Sequence, residues 1–455
     1  MSHPRLQFLG LSAILIGACG QAPQAPSEPE TPPNVIIVMV DTLRADHMSL
    51  YGYDRGTTPF IDRFASEAVV FERARSQAAC TFPSVNSLFT SRYPFVFTRQ
   101  GKGQMGIPYQ YPTIAEILKR NGYQTIAVSA SAIVRKSPSA HNPNGGFGRG
   151  FDVFDEKCVW GEGGCVNRRA LKLLDSVEEP FFLYLHYMEP HAYYAPPPHY
   201  TRRFAEEYDG HDFIRDGDPN PIGKMIYGDG PKVDISNRDI QHLIDLYDDE
   251  IRYFDGVFQR LVTRLDRQGL LENSLIVFVS DHGEEFLEHG HIAHCRGIWD
   301  TVTRVPLFIR IPGIEGGRRI DSAVQNLDIV PTLLDYLSIE STDLGFEGTS
   351  LRTLVDGRES TSRYAFADQG KYRSVDDGRL HLILDGQKRT ATLFDAVIDP
   401  LEQHDLYTPG HPDGERMTAK LNQWLEEIGQ GVRFDEALAA AKAKEEELRA
   451  LGYLR

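Results

Sequence analysis

The sequence predicts an α/β fold in which a doubly wound, mostly parallel sheet is followed by a small antiparallel C-terminal subdomain. Continuous apolar runs recur along the chain, as expected of strands that are buried on both faces of a parallel sheet. They lie at residues 34–40, 125–128, 181–185, 275–279 and 305–309. Amphipathic helical stretches alternate with them, at residues 59–68, 113–121, about 237–268 and 328–337. Strands that alternate with helices in this way are typical of a doubly wound sheet.

A change of pattern near Tyr364 marks the predicted C-terminal subdomain. Short alternating pieces at residues 379–384 and 392–394 are separated by Asp-Gly turns, which favours a small antiparallel sheet. From about Gly414 the chain is rich in Glu, Ala and Lys, which favours helix. We therefore expect a main α/β domain over residues 34–362 and an antiparallel sheet plus helices over residues 363–455.

The N-terminal residues resemble an export signal. Their apolar run is too short to span a bilayer as a mature helix. Cys19 directly follows Ile-Gly-Ala, so residues 1–19 are interpreted as a lipoprotein signal peptide whose lipobox directs lipidation of Cys19. Residues 20–33 are rich in Pro, Ala and Glu and are expected to form a disordered tether. The protein is thus predicted to reach the bacterial periplasm or cell envelope with a lipid anchor in the membrane, the alternative being a plain signal peptide cut near Gly20 or Ala22.

The composition is that of a globular protein without affinity for nucleic acid. Of the 455 residues, 41% are hydrophobic and 25% are charged. The 64 acidic and 48 basic residues give a formal net charge of −16, which disfavours nucleic acid as a partner. Among the cysteines after Cys19, Cys158 and Cys165 are spaced for a local disulfide in an oxidising compartment. The absence of a CxxC spacing makes a structural zinc cluster unexpected.

Two segments couple a buried strand to side chains that commonly bind metals. Asp41 follows the first strand, and Asp281 and His282 follow a later one that leads into three further histidines. Carboxylates and imidazoles at strand ends can bind a divalent cation while the sheet holds their geometry. Because ligands of such sheets bind beyond the carboxyl ends of the strands, Asp41, residues 186–191 and Asp281 are expected to converge on one crevice.

A third segment, residues 79–92, places a hydroxyl group at a helix start. Proline is favoured in the first turn of a helix, so Pro83 places Thr81 at or just before the N-terminus. Exposed amides and the helix dipole stabilise an alkoxide or a bound anion at that position. A simple helix cap is the alternative role for Thr81.

The order of these segments resembles the sulfatase family of the alkaline phosphatase superfamily, over residues 34 to about 405. The segments are DTLRADH, GTTPFIDRFASEA, TFPSVNSLFTSRYP, FFLYLHYMEPHAYYAPP, SDHGEEFLEHG and RVPLFIRIPG. The resemblance implies an alkaline phosphatase-like fold in which Asp41, Asp281 and His282 hold a divalent metal beside the nucleophile. It also implies an anionic ester as substrate.

The chain departs from the formylglycine sulfatases at the nucleophile. Their signature, C/S-x-P-x-R, requires a proline two residues after the modified residue and an arginine four residues after it. Counted from Thr81, Pro83 fits but the arginine position is Val85, and Cys80 does not fit at all. Threonine cannot be oxidised to formylglycine, so the chain resembles a threonine-nucleophile, non-formylglycine variant.

These positions lead to a hypothesis for the reaction. Asp41, Thr81, Asp281 and His282 would bind the metal, for which this oxygen and nitrogen set favours zinc, with manganese, magnesium and calcium as alternatives. Thr81 would attack phosphorus or sulfur and form a covalent intermediate. By the resemblance, His191 and His294 would bind the anionic oxygens or protonate the leaving group. Arg44 and His289 are further candidates for substrate binding, and pairing with an Asp is the alternative for Arg44.

We therefore expect a metal-dependent hydrolase of phosphate or sulfate esters, with phosphoesters preferred because of Thr81 and His282. Three alternatives remain open. The chain could be a sulfatase that acts without formylglycine, a phospho-headgroup transferase, or a binding lipoprotein without catalytic activity.

Overall fold

The computed structural model describes residues 31–98, 110–138, 146–159, 162–197, 235–358 and 363–428, with Met1 and short pieces at 107–108, 200, 203–205 and 208–210. The predicted signal peptide with Cys19, nearly all of the predicted tether and the final part of the predicted C-terminal helix lie outside the described residues. Within the described part of the chain, no helix is both long enough and apolar enough to cross a membrane.

The described strands, in chain order, are β1 (Asn34–Val40), β2 (Val69–Arg75), β3 (Gln124–Ser129), β4 (Val153–Asp155), β5 (Phe181–Tyr187), β6 (Ser274–Ser280), β7 (Glu285–Phe286), β8 (Ile292–Ala293), β9 (Leu307–Arg310), β10 (Arg318–Gln325), β11 (Ala365–Gln369), β12 (Tyr372–Asp376), β13 (Leu380–Asp385) and β14 (Thr390–Asp395). The described α-helices are α1 (Pro59–Ala65), α2 (Thr81–Thr90), α3 (Phe95–Thr98), α4 (Ile114–Arg120), α5 (Gly163–Leu174), α6 (Asn237–Arg267), α7 (Asp300–Thr303), α8 (Ile329–Tyr336), α9 (Arg352–Val355) and α10 (Pro412–Glu427).

The central sheet has eight strands in the order β10-β2-β9-β6-β1-β5-β3-β4. Its neighbouring strands are parallel except around β9, which runs antiparallel to both β2 and β6. The mostly parallel α/β fold predicted from the sequence is therefore confirmed. Strand β9 begins at Leu307 rather than at Val305, because Pro306 has no N–H group to give to a sheet ladder.

Both faces of the central sheet are covered, which explains the continuous apolar runs of its strands. All seven residues of β1 are buried. On one face Ile36 and Val38 pack in a cluster with the aromatic rings of α6, including Phe254. On the other face Ile37 lies in a cluster with Val85 of α2. Alternate side chains along each strand thus enter two separate cores.

Capping residues set the starts of two of the helices. Thr113 precedes α4 and Ser236 precedes α6, and each side chain accepts a hydrogen bond from the backbone N–H three residues later. The side chains of Glu116 and Asp239 complete the two capping boxes by accepting from the capping residues' own N–H groups. The helices predicted from the sequence at these places are confirmed, with small shifts at their ends.

The C-terminal sheet consists of β11, β12, β13 and β14, which pair in this order and are all antiparallel. Helix α10 packs on it, and the ring of Trp424 stacks on Phe366 at 4.8 Å. Arg75, the last residue of β2, joins this sheet to the central one, because its guanidinium binds both Asp300 and Asp376 of β12. The antiparallel C-terminal sheet predicted from the sequence is confirmed.

Candidate active site

Three neighbouring parallel strands deliver polar side chains to one edge of the central sheet. Strand β1 lies between β5 and β6, and Val40 is in register with Tyr187 on one side and Ser280 on the other. Asp41 and Asp281 are the residues that directly follow β1 and β6, and they are 1% and 0% exposed. The convergence predicted at the carboxyl ends of these strands is therefore present in the fold.

A buried oxygen and nitrogen cluster forms at this edge from Asp41, Asp281 and His186 of β5. One possible ligand atom from each of these residues lies within 4.8 Å of the others. The Oδ1 atom of Asp41 and the Oδ2 atom of Asp281 are buried and accept no hydrogen bond from the described residues. Buried carboxylate oxygens without a partner are costly, so this donor set fits a bound cation.

His186 was not predicted individually as a site residue. It was expected near the site only as part of residues 186–191. Its Nε2 atom lies 3.0 Å from Asp41 Oδ2, and its Nδ1 atom lies 2.8 Å from the hydroxyl of Tyr184. A carboxylate can only accept, so Nε2–H donates to Asp41 and the Tyr184 hydroxyl donates to Nδ1. His186 therefore orients Asp41, and the signal in the sequence is a histidine that interrupts an apolar strand next to its end.

The two carboxylates of the cluster experience opposite electrostatic environments. Burial opposes ionisation of Asp41, but the hydrogen bond from His186 and the nearby imidazoles hold its pKa well below the usual range. Burial and the neighbouring charge of Asp41 raise the pKa of Asp281. A cation between them would favour the ionised form of both groups.

Thr81 is the first residue of α2, and its hydroxyl reaches the same cluster. Its Oγ1 atom lies 3.2 Å from Nε2 of His282, and the Nδ1 atom of His282 lies 2.9 Å from the carbonyl oxygen of Gly283. Because Nδ1 must donate to that carbonyl, Nε2 carries the lone pair and faces Thr81. The same Nε2 lies 3.5 Å from Asp281 Oδ2 and 3.8 Å from Asp41 Oδ1. All four predicted metal ligands thus converge.

His294 and His191 extend the group beyond His282. The ring of His294 lies 4.4 Å from that of His282, and the ring of His191 lies 5.1 Å from that of His294. His294 follows the short β7–β8 hairpin, and its Nδ1 is 2.9 Å from Oε1 of Glu284. The other oxygen of Glu284 accepts a hydrogen bond from Tyr194. The three imidazoles thus pack one against the next, starting from the one beside Thr81, and could bind a leaving group.

Burial controls the protonation of the His294 and Glu284 pair. It raises the pKa of Glu284 to about 7, and it lowers the pKa of His294 to about 4 with help from His191. His294 is therefore neutral at neutral pH in the free protein. An anionic ester beside it would raise this pKa, because a nearby negative charge favours the imidazolium form.

Two predicted substrate-binding residues are placed elsewhere. The buried guanidinium of Arg44 forms ion pairs with Asp46 at 2.7 Å and Glu288 at 2.6 Å. Pairing with an Asp was the alternative to substrate binding that the sequence left open for Arg44. His289 lies 2.7 Å from Glu285 and stacks on the Trp299 ring at 4.3 Å. The described contacts bring neither side chain to Thr81, and their substrate contacts stay predictions without support from this geometry.

Two disulfides are present among the described residues. Cys158 and Cys165 form the local disulfide that their spacing allows. The second joins Cys80 to Cys295 across 215 residues, and these two cysteines directly precede Thr81 and directly follow His294. Sequence reasoning missed this pair, because no local spacing indicates contact between positions so far apart in the chain.

A hydroxyl group at a helix N-terminus, beside a buried cluster of carboxylates and imidazoles on an α/β sheet, is the arrangement of an ester hydrolase. The chain belongs to the sulfatase family, whose profile matches residues 33–339. The profile described as N-sulphoglucosamine sulphohydrolase, C-terminal, matches residues 288–431.

Curated relatives and solved structures agree with this placement. An ulvan-active sulfatase of Formosa agariphila is 26% identical over 88% of this chain and 82% of its own length. An arylsulfatase of Clostridium perfringens is 25% identical over 82% of this chain and 90% of its own length. The fold is similar to a phosphonate monoester hydrolase of Agrobacterium radiobacter, with a TM-score of 0.69, 19% identity and coverage of 88% of this chain and 96% of that one. A protein solved with its substrate D-glucosamine-2-N,6-O-disulfate has a TM-score of 0.70 at 19% identity, covering 89% of this chain and 99% of that one. The sulfatase relatives support an ester hydrolase, and the solved structures support its fold.

Proposed function

We propose that the protein is a metal-dependent hydrolase of phosphate or sulfate esters that uses Thr81 as its nucleophile. The observation that carries this proposal is the position of Thr81 Oγ1, at the start of α2 and 3.2 Å from His282 Nε2. Cys80, the nearest cysteine, is disulfide-bonded and therefore offers no free thiol for oxidation to formylglycine. The hydroxyl of Thr81 is then the nucleophile available at this position.

Asp41, Thr81, Asp281 and His282 would hold the metal, with His186 orienting Asp41. A divalent metal bound there would lower the pKa of the threonine hydroxyl and neutralise charge on the ester. Calcium and magnesium, the ions typical of the family, prefer oxygen ligands. The imidazole of His282 therefore favours zinc, which binds mixed oxygen and nitrogen sets.

The residues of the chain supply the remaining chemistry. Thr81 releases its hydroxyl proton to solvent, and its Oγ1 forms a bond to phosphorus or sulfur as the bond to the leaving-group oxygen breaks. The N-terminal amides of α2 stabilise the anionic oxygens. His294, which becomes protonated when the bound anionic ester raises its pKa, or His191 next to it, gives a proton to the departing oxygen. Water then hydrolyses the Thr81 ester and restores the hydroxyl.

A phosphoester is the preferred substrate in this proposal, because Thr81 and His282 replace the residues of the formylglycine sulfatases. A sulfuric ester is the second candidate, and the sulfatase relatives of the chain favour it. We further propose that Cys19 anchors the protein by a lipid in the periplasm or cell envelope. Two disulfides within the fold suit such an oxidising compartment.

The proposal is tested with metal-reconstituted protein against matched aryl esters: a sulfate, a phosphate monoester, a phosphodiester and a phosphonate monoester. Thr81→Ala is expected to lose about 10³-fold or more in kcat, the scale on which removal of a nucleophile acts. Thr90→Ala, at the other end of α2, is the matched control and should retain the rate. Full activity of Thr81→Ala would exclude the threonine nucleophile, and turnover of the sulfate alone would exclude the preference for phosphorus.

A further inference from the structure

The Cys80–Cys295 disulfide lies directly between the two segments that carry Thr81 and His294. Cys80 is the N-cap residue of α2, and its side chain makes no capping hydrogen bond. Its neighbour Thr81 is the first helical residue. Cys295 immediately follows His294 at the end of the β7–β8 hairpin. The disulfide therefore links the residue before the proposed nucleophile to the residue after a proposed proton donor.

The backbone around His294 needs outside support to keep its conformation. Ala293 and Cys295, on either side of it, have φ angles of 69° and 71°. Such left-handed conformations are uncommon for residues other than glycine and persist when surrounding contacts hold them in place. The N–H of Cys295 donates to the carbonyl oxygen of Ala79 at 2.8 Å. This hydrogen bond and the disulfide fix the hairpin end to the start of α2.

The disulfide is one link in a closed loop of contacts, and the other links are noncovalent. Thr81 Oγ1 lies beside the His282 imidazole, and that imidazole packs against His294. If the disulfide is cut, the contacts that hold His294 in the described structure are all noncovalent: those with the His282 and His191 rings, the contact with Glu284, and the backbone hydrogen bond from Cys295 to Ala79. Displacement of a reacting group by about 1 Å can cost about 10²-fold in rate.

The disulfide is also open to a reductant. Cys295 is exposed and Cys80 is partly exposed, whereas Cys158 of the other disulfide is buried. A thiolate of a dithiol can attack Sγ of Cys295 and release the thiolate of Cys80, after which the reductant closes into a cyclic disulfide. Two electrons and two protons pass to the protein, which then carries two thiols.

On the basis of the proposed function, we infer that Cys80 and Cys295 are positioning residues whose disulfide holds Thr81 and His294 in place relative to each other. Ester hydrolysis therefore depends on the redox state of this bond. The inference is specific to this pair. The Cys158–Cys165 disulfide, which closes a loop across seven residues, should have no such effect.

The test compares oxidised wild-type protein with the same protein after mild treatment with a dithiol. Alkylation and mass spectrometry report which cysteines are free. Selective reduction of Cys80–Cys295 is expected to lower kcat by about 10- to 100-fold with a smaller change in KM. Removal of the reductant and reoxidation should restore kcat. A merely structural bond would lower Tm and leave kcat unchanged below the melting range.

Two variants keep the inference independent of incomplete reduction. Cys80→Ala/Cys295→Ala should reproduce the loss of kcat and no longer respond to the dithiol, while Cys158→Ala/Cys165→Ala should keep the wild-type rate and the wild-type response. Full activity in a protein shown to carry free thiols at Cys80 and Cys295 would overturn the inference. Resistance of this disulfide to a dithiol that opens Cys158–Cys165 would also overturn it.

A structural measurement separates this inference from the proposed function. Hydrogen exchange of the Cys295 amide, which donates to Ala79, should accelerate in the reduced protein. If oxidised wild-type protein hydrolyses none of the esters, the proposed function fails, and faster exchange still supports the positioning role. Unchanged exchange across residues 79–81 and 292–296 after reduction would contradict that role.

Discussion

His282 Nε2 lies 3.2 Å from Thr81 Oγ1, although 201 positions separate the two residues in the sequence. If this nitrogen is a metal ligand, His282→Ala should weaken metal binding by more than about 100-fold. Loss of a residue that only orients a metal ligand already costs about 10- to 100-fold. Metal content after gel filtration and the rate of ester hydrolysis should fall together. His404→Ala, at an 83% exposed histidine, is the matched control. Normal metal content in His282→Ala would remove His282 from the ligand set.

The partnerless oxygens of Asp41 and Asp281 predict that metal binding stabilises the fold. A cation at 100 times its Kd should add about 2.7 kcal/mol to the free energy of unfolding, and a chelator should remove that gain. In Asp281→Asn the rise in Tm on adding metal should be lost, whereas exposed Asp343→Asn should keep it. Scanning calorimetry with and without metal measures the difference. An equal rise in both variants would place the stabilising cation elsewhere.

The Arg44–Glu288 ion pair predicts a loss of stability in acid. Burial opposes ionisation of Glu288, but the guanidinium of Arg44 holds its pKa below the usual value of 4.5. The pair therefore stabilises the fold above the unfolded-state pKa, and this contribution is lost as the pH falls through the lower folded-state pKa. Glu288→Gln should cost about 1–3 kcal/mol at pH 7 and progressively less below about pH 4.

Urea unfolding of wild type and Glu288→Gln between pH 7 and pH 3.5 measures that difference. Glu67→Gln is the control, because its side chain is 67% exposed and lies 3.9 Å from Arg310. A difference between wild type and Glu288→Gln that stays constant down to the lowest pH would show that the ion pair does not cause it.

Arg75 predicts a large energetic effect at the junction of the two sheets. Its side chain is 3% exposed and pairs with Asp300 and Asp376, which are also buried. Arg75→Met leaves both carboxylates without their cation and should lower the free energy of unfolding by about 3–5 kcal/mol. Arg73→Met, whose partner Asp321 is 81% exposed, should cost much less in urea unfolding. Equal losses would mean that burial of the pair is irrelevant.

Strands β1 and β6 could be predicted from the sequence because each is a continuous apolar run that is directly followed by an aspartate. This signal located Asp41 and Asp281 and their meeting point at the sheet edge. The edge strand β10 was missed, because RRIDSAVQ is polar where one side of the strand is exposed. Its first five residues are intermediate or exposed before the buried Ala323 is reached, so no apolar run marks it.

Contacts between distant segments could not be predicted. The partner of Cys80 stands 215 residues away, and a single sequence gives no distance between such positions. Arg44 shows the same difficulty. One of its partners, Asp46, is 2 positions away in the sequence, but the other, Glu288, is 244 positions away. The choice between an ion pair and a substrate contact depends on the fold of a hairpin, which local patterns do not specify.

The site has two halves with different mechanical support. Asp41 and Asp281 are anchored by adjacent strands whose every residue is buried, so a change in their spacing would disturb both cores of the protein. Thr81 is the first residue of a helix, and its neighbours are held from outside the sheet by one disulfide. A substitution at position 81 would therefore change the group at the helix start without disturbing the packed strands that carry Asp41 and Asp281.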